Sequence, residues 1–332
     1  MRGATSPLSP RRRQLFLLAA AFSATALGGF VKSRARPATK SEPVSAVGRD
    51  LGDFSRVFTD SALRERFRPF LENVFHLVPE PGLTALISEL VADDPRDPIV
   101  YQKLLARMPE VEPFLAGPRY ALPALIHQKR VMAEQTALLL GPTRKVNGYL
   151  ELGSQGRYFD ALQGQFAFEG PLFTSAPRAP THSVTDVVDR GQISRVGTAL
   201  PWTDYVPLGA EQAPFASLDL ITVYIGLHHA KLEQRAPYIR YLHQLLRPGG
   251  RLILRDHDVT SPELFSIVSL AHDVFNAGTG ESWATNERER RNFYPLQVMI
   301  DLFASQGFVP GSERLLQDGD PTRNTLLCFR KV

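Results

Sequence analysis

The stretch Ser217–Ala230, SLDLITVYIGLHHA, decides how the chain is to be read. It opens on Asp219, runs through Leu220, Ile221, Val223, Tyr224 and Ile225 with one polar interruption, and ends in two histidines. A short apolar run with no two-residue alternation is the texture of a strand buried on both faces, and such strands belong to parallel sheets covered by helices on each side. Downstream, YLHQLLRPGGRLILRDHDV (Tyr241–Val259) carries an amphipathic helix into a Pro-Gly-Gly turn and a second buried strand. Upstream, NGYLELGSQGRYF (Asn147–Phe159) reads as a strand that ends in Glu151, turns at Gly153 and enters a helix near Arg157. An acid at a strand end can accept from an ammonium or a ribose hydroxyl, and Gly153 allows a backbone approach that a side chain would block.

From these three segments the pattern extends along the second half of the chain. Strands are predicted at Gly148–Leu152, Pro171–Thr174, Thr198–Leu200, Leu218–Ile225, Gly250–Arg255, Phe308–Leu316 and Thr325–Arg330. Helices are predicted at Tyr158–Gln163, Ser183–Asp189, Glu233–Leu246, Pro262–Asn276 and Pro295–Gln306. The expected architecture is α/β, a Rossmann-like doubly wound sheet with an N-terminal helical extension. That extension spans residues 55–143. Leu63, Phe67, Phe70, Leu71, Val74 and Phe75 recur at spacings of three and four behind Asp60 or Ser61 as N-cap, which makes them a core stripe. Helices follow at Gly82–Ala92, Pro98–Met108 and Ala121–Leu140, the last stopped by Gly141-Pro142. The segment could serve as a lid, a dimerisation arm or a substrate-side cap.

Before it come a leader, residues 1–31, and a Ser-, Pro- and Ala-rich linker, residues 32–54. Three arginines precede an apolar run from Leu15 to Val31, with Ala24-Thr25-Ala26 as a small-residue cleavage site. That is the layout of a twin-arginine export signal or of a membrane anchor through residues 15–31, and export or anchoring is favoured over a cytoplasmic location. Eight of the 38 Lys and Arg lie in the first 41 residues, which hold no acid, leaving 30 against 34 Asp and Glu in the body. The basic balance thus belongs to the leader and gives no ground for nucleic-acid binding. Cys328 is the only cysteine, so an intramolecular disulfide and a cysteine-based metal site are excluded.

The succession LELGSQG, SLDLITVYIGLHH and LHQLLRPGGRLILRD resembles the class I S-adenosylmethionine-dependent methyltransferases, especially the small-molecule enzymes that carry LHH after the fourth strand. The resemblance covers Lys145 to Val332, a methyltransferase-like domain of residues 144–332. It implies S-adenosyl-L-methionine as cofactor and a small-molecule methyl acceptor. It places Glu151 as the acid that orients the methionine part of the cofactor, and Gly153, Ser154 and Gly156 in its turn. Asp204 in PWTDY matches the acid that contacts the adenine amino group, and His228 lies beside the cofactor. Gln155 and Arg157 stand where the family has further glycines, and FTSAPRAP (Phe173–Pro180) ends the second strand without the usual ribose-binding acid; Asp186 lies farther on.

Methyl transfer from a sulfonium needs alignment of donor and acceptor, plus a base where the acceptor bears a proton. His229, Asp256 and His257 are the candidates beside the acceptor, with Asp258 next to them and His272 and Asp273 on the following helix. His229 could equally pack or hydrogen-bond beside the cofactor, and RDHD could cap a helix or pair with Arg255 or Arg251. No ligand set is assigned to a metal, although a His/Asp rim is chemically able to hold one. Residues 276–295, NAGTGESWATNERERRNFYP, form either a substrate lid presenting Trp283, Asn286, Phe293 and Tyr294 or a solvated loop with Glu287–Arg291 facing water. Two alternatives to a methyltransferase stand: a noncatalytic or weakly ligand-binding module that kept the sheet, and a metal-assisted enzyme using the rim. The acceptor atom and oligomeric state are not legible.

Overall fold

The computed structural model describes residues 52–75, 78–112, 122–177, 179, 181–182, 187, 190–192 and 195–332. The leader and most of the linker lie outside these residues, as does nearly all of the helix expected at Ser183–Asp189. No helix among the described residues is long and apolar enough to cross a membrane.

Seven strands form one sheet: β1 (Lys145–Leu152), β2 (Ala167–Ser175), β3 (Thr198–Leu200), β4 (Leu218–Val223), β5 (Leu246–His257), β6 (Phe308–Leu316) and β7 (Asn324–Lys331). Their order is β3-β2-β1-β4-β5-β7-β6. The first five are parallel, and β7 runs antiparallel between β5 and β6. This is a Rossmann-like doubly wound sheet, as the sequence indicates. Parallel neighbours need crossovers, and the connecting helices cover both faces.

Side chains alternate across the sheet as a period of two requires. Ile221 and Val223 of β4, Leu252 and Leu254 of β5, and Leu327 and Phe329 of β7 pack on one face. There they meet α7 (Leu232–Leu245) through Ile239, Leu242 and Leu245, and α10 (Leu296–Ser305) through Met299 and Phe303. Leu220, Ile253, Leu326 and Cys328 point the other way, toward Met132, Ala133 and Leu140 of α5 (Leu122–Leu140) and Phe159 and Leu162 of α6 (Phe159–Gln163). The free thiol of Cys328 is buried there, and burial pushes it up to about 11.

The extension is α1 (Asp53–Thr59), α2 (Ser61–Asn73), α3 (Glu80–Asp93), α4 (Asp97–Val111) and α5. Asp60 caps α2, accepting from Ala62 N at 2.8 Å and Leu63 N at 3.1 Å. Phe67, Phe70, Leu83, Ile87, Tyr101 and Leu104 form a second core together with Ile267, Leu270, Ala271 and Val274 of α8 (Pro262–Gly278). The stripe from Leu63 to Phe75 is therefore core, as its spacing indicates.

Several boundaries differ from the sequence expectation. Asp53 and Phe54, assigned to the linker, begin α1, because the Asp97 carboxylate accepts from both of their backbone amides and stands in for a cap. The Pro-Gly-Gly segment is the start of β5 rather than a turn outside it: Leu218 pairs with Leu246, and a register shift absorbs the extra residues before Leu220 meets Arg251. β2 begins at Ala167, before the expected Pro171, since Lys145–Asn147 of β1 already pair with Ala167–Glu169. A short helix, α9 (Trp283–Glu287), stands where a lid or a solvated loop was expected.

Candidate functional site

Strand order reverses between β1 and β4, and in open sheets of this kind ligands bind beyond the carboxyl ends at such a switch point. Leu152, the last residue of β1, pairs with Val223, the last of β4, so Gly153 and the segment Tyr224–His229 face each other there. Gly153 has φ of +86°, which favours glycine, and a Cβ on it would lie 3.3 Å from the Cβ of Ile225. Gly153, Trp202, Asp204, Ile225, His229 and Arg290 are among the residues lining a cleft of about 330 Å³.

Glu151 is placed inside the β1 turn and away from the cleft wall. Leu150 and Leu152 face α7, so Glu151 follows Tyr149 to the opposite side, where it is fully buried. The Ser154 hydroxyl donates to its Oε1, the Tyr149 hydroxyl to its Oε2 at 3.1 Å, and Tyr158 N to both oxygens at 3.3–3.4 Å. Burial raises this carboxyl, and those donors oppose the shift. Ser154 thus braces the turn along with it. Gly156 has φ of +82°, and its carbonyl accepts from Gln192 Nε2 at 2.5 Å. Asp204 does reach the cleft, but its Oδ2 is held by Arg290 through Nη2 at 2.5 Å and Nη1 at 3.1 Å.

The histidines converge deeper, around an adjoining cavity of about 160 Å³ that shares Ile225, His229 and Glu289 with the cleft. Leu227–His229 form a 3₁₀ turn after β4, His257 ends β5, and His272 projects from α8. Asp256 organises them. Its Oδ1 accepts from His228 Nδ1 at 2.6 Å and His257 N at 2.9 Å, and its Oδ2 accepts from Leu227 N at 2.8 Å. Burial by itself would raise the Asp256 carboxyl, but the adjacent His228 and His257 hold it well below the usual carboxylate range. Gly226 makes this approach possible, since a Cβ there would lie 2.5 Å from the Asp256 carboxyl carbon and 2.6 Å from His228 Nδ1.

Each of the other rings is oriented the same way. His257 Nδ1 is 3.0 Å from the Thr322 carbonyl, His229 Nδ1 is 3.1 Å from the Arg290 carbonyl, and His272 Nδ1 is 3.4 Å from Glu289 Oε2. A carbonyl or carboxylate can only accept, so each Nδ1 carries the proton. Burial holds His257 and His272 below the ordinary imidazole range, and brings His229 down to about 3. A ring so reluctant to become imidazolium is a hydrogen-bond acceptor or a ligand more readily than a proton store at neutral pH.

Of the expected rim, Asp256, His228, His229, His257 and His272 come together. Asp258 does not: it caps α10 by accepting from Leu296 N at 2.9 Å and lies 3.6 Å from Arg323. Asp273 pairs with Arg291 at 2.8 Å and accepts from Asn286 Nδ2 at 2.7 Å. Two residues of the site, Glu289 and Asn324, had no signal of their own in the sequence. Glu289 lies within the charged run that suggested a solvated face, yet it turns inward to His272 and to Arg291 Nε at 3.0 Å. Phe293 lies against the rings of His228, His257 and His272, with centroids 5.1–5.6 Å apart. Asn324 enters the cavity because β7 pairs it with His257.

No family model matches the chain. A stretch of 75 residues is 37% identical to the ubiquinone/menaquinone biosynthesis C-methyltransferase of Pseudoalteromonas translucida (strain TAC 125), covering 22% of this chain and 28% of that protein. The chain thus matches less than a third of that relative's length. Among solved structures it is similar to the CurJ carbon methyltransferase, at 14% identity and TM-score 0.44 over 81% of this chain and 71% of that one. It is also similar to an O-methyltransferase family 2 protein of Planctomyces limnophilus DSM 3776 solved with apigenin, at 16% identity and TM-score 0.43 over 76% and 65%. A third is the 1,6-didemethyltoxoflavin-N1-methyltransferase of Burkholderia thailandensis, solved with S-adenosylhomocysteine, at 13% identity and TM-score 0.40 over 63% and 79%.

Proposed function

We propose that this chain, whose sheet is of the class I methyltransferase type, transfers a methyl group from S-adenosylmethionine to a small molecule. The observation that carries the reading is the cleft at the β1/β4 switch point, walled by Gly153 and Asp204 on one side and running to His229 and the buried histidines on the other. The open backbone at Gly153 suits the methionine part of the donor, and Asp204 suits the adenine amino group once it leaves Arg290. His229 presents Nε2 toward the acceptor, because its Nδ1 proton is committed to the Arg290 carbonyl. The sulfonium supplies a good leaving group, so these residues have only to align the reactants and exclude water.

A second reading, a ligand-binding module without catalysis, is favoured by the donor side itself. Glu151 is spent on bracing its own turn, β2 ends in Ser175 without an acid, and Asp204 is engaged. Calorimetry of the full chain with S-adenosylmethionine and S-adenosylhomocysteine separates the two. Binding of both, followed by turnover with a hydroxylated aromatic acceptor panel, supports the enzyme; no heat at millimolar ligand removes methyl transfer. Export or anchoring by the leader belongs to the same proposal, and a fusion reporter that stays cytosolic and uncleaved would reject it.

A further inference from the structure

His228, His257 and His272 reach one point from three distant parts of the chain: the turn after β4, the end of β5 and the middle of α8. One ring nitrogen from each lies within 4.8 Å of the other two. A second triad, His229, His272 and Glu289, meets the same limit and shares His272. In metal centres the ligating imidazole almost always donates its other N–H to a carboxylate or a backbone carbonyl, which fixes the tautomer and aims the lone pair. All four histidines here make that bond, to Asp256, Thr322, Glu289 and Arg290. For His228, whose Nδ1 is held by Asp256, Nε2 is the nitrogen left to coordinate.

We propose that His228, His257 and His272 bind one divalent transition-metal cation, with His229 and Glu289 at its margin. A separate observation points to a ligand: His228 is 96% buried, and its Nε2 has no hydrogen-bond partner. Burying such a nitrogen unsatisfied is unfavourable, and a cation there would offset that cost. The carboxylates of Asp256 and Glu289 stand behind the first and last of the rings, Glu289 also pairing with Arg291 Nε at 3.0 Å. Phe293 walls the histidines on one side, and the cavity of about 160 Å³ leaves room for a substrate atom beside the ion. Three imidazoles select zinc, iron(II), cobalt or nickel over magnesium and calcium, which prefer oxygen ligands. The site's position beside the cleft makes the acceptor the substrate it would polarise, a role that rests on the methyl-transfer reading; metal binding itself does not.

The test uses the full chain, stripped with a chelator and titrated with Co²⁺ and separately with Zn²⁺. The expected result is one equivalent per chain, with the intense visible bands of four- or five-coordinate cobalt, and a rise in Tm with zinc. His257→Ala and His272→Ala should each lose at least a hundredfold in affinity, Asp256→Asn about ten- to a hundredfold, and His127→Ala, on α5, nothing. The pale spectrum of aqueous cobalt from the unsubstituted chain overturns the proposal, and so does undiminished binding by the His228→Ala/His257→Ala chain. If the alanine variants do not fold, the cobalt spectrum and zinc-dependent Tm of the unsubstituted chain decide alone. Calorimetry with S-adenosylhomocysteine on the metal-free chain is scored separately, so failure of the donor site is not mistaken for failure of the metal site.

Discussion

Replacing Gly226 by alanine adds one methyl group at the tightest point of the site. Gly226 has φ of −49° and ψ of 170°, outside the left-handed region that favours glycine. The objection is spatial: the new Cβ would lie 2.5 Å from the Asp256 carboxyl carbon, well inside contact distance. Asp256 can yield only by turning away from Leu227 N, His228 Nδ1 and His257 N. Hydrogen bonds to a charged group are worth about 1.5–3 kcal/mol each, so losing two of the three costs about 3–6 kcal/mol. Should the backbone shift instead, overpacking costs about 1–3 kcal/mol. The expected loss is about 3 kcal/mol, where the two ranges meet, a fall in Tm of roughly 4–5 °C for a chain of this size. Urea denaturation at pH 7 measures it, with Gly249→Ala as control. That site has open space around it but φ of +79°, and should cost about 1–2 kcal/mol. If Gly226→Ala costs no more than the control, and the His228 ring resonances are unmoved, Asp256 does not hold the cluster as described.

Three further outcomes are expected. Tyr149→Phe removes a fully buried hydroxyl that donates to Glu151 and meets Thr222 Oγ1 at 2.7 Å, so it should cost about 1–3 kcal/mol in thermal or urea unfolding. Burial, with Asp273 and Asp53 nearby, raises the Asp97 carboxyl to about 7 from an unfolded value of 3.8, so the folded chain keeps a proton that the unfolded chain releases. Its contribution makes stability fall as pH rises between 3.8 and 7, at up to about 1.4 kcal/mol per pH unit, and level off above. Asp97→Asn should flatten that slope in urea melts taken across the window, and an unchanged slope would refute the assignment. Arg290→Ala breaks an ion pair whose partners are one-third or more exposed, so stability should change by less than about 1 kcal/mol. Freed from it, Asp204 should bind S-adenosylhomocysteine more tightly by calorimetry; weaker binding would assign the contact to Arg290.

The sheet was legible because buried parallel strands leave a clear record: Leu218–Val223 and Leu252–Leu254 carry apolar residues on both faces. Strand order and the antiparallel insertion of β7 left no such record, since Asn324–Lys331 would read alike in either direction. At the site, the LHH and RDHD segments identified four of the converging groups, because strand ends at a switch point meet by topology. Glu289 was not legible: three arginines beside it, at 288, 290 and 291, give the pattern of a wet surface, and only its inward partners His229 and His272 reverse it. Glu151 was singled out by residue type at a strand end, and side-chain alternation along β1 turns it to Ser154 and Tyr158.

Helix α8 belongs to two structures at once. One side of it, Ile267, Leu270, Ala271 and Val274, completes the core of the extension, while His272 and Asn276 project into the cavity. The boundary near residue 143 is therefore a boundary of sequence texture and not of cooperativity: the first half of the chain has no complete core without α8, and the histidine cluster has no fixed mount for its third ring without the first half. The two halves should melt in a single transition, and the extension is better regarded as the bedplate of the sheet half than as an appendage to it.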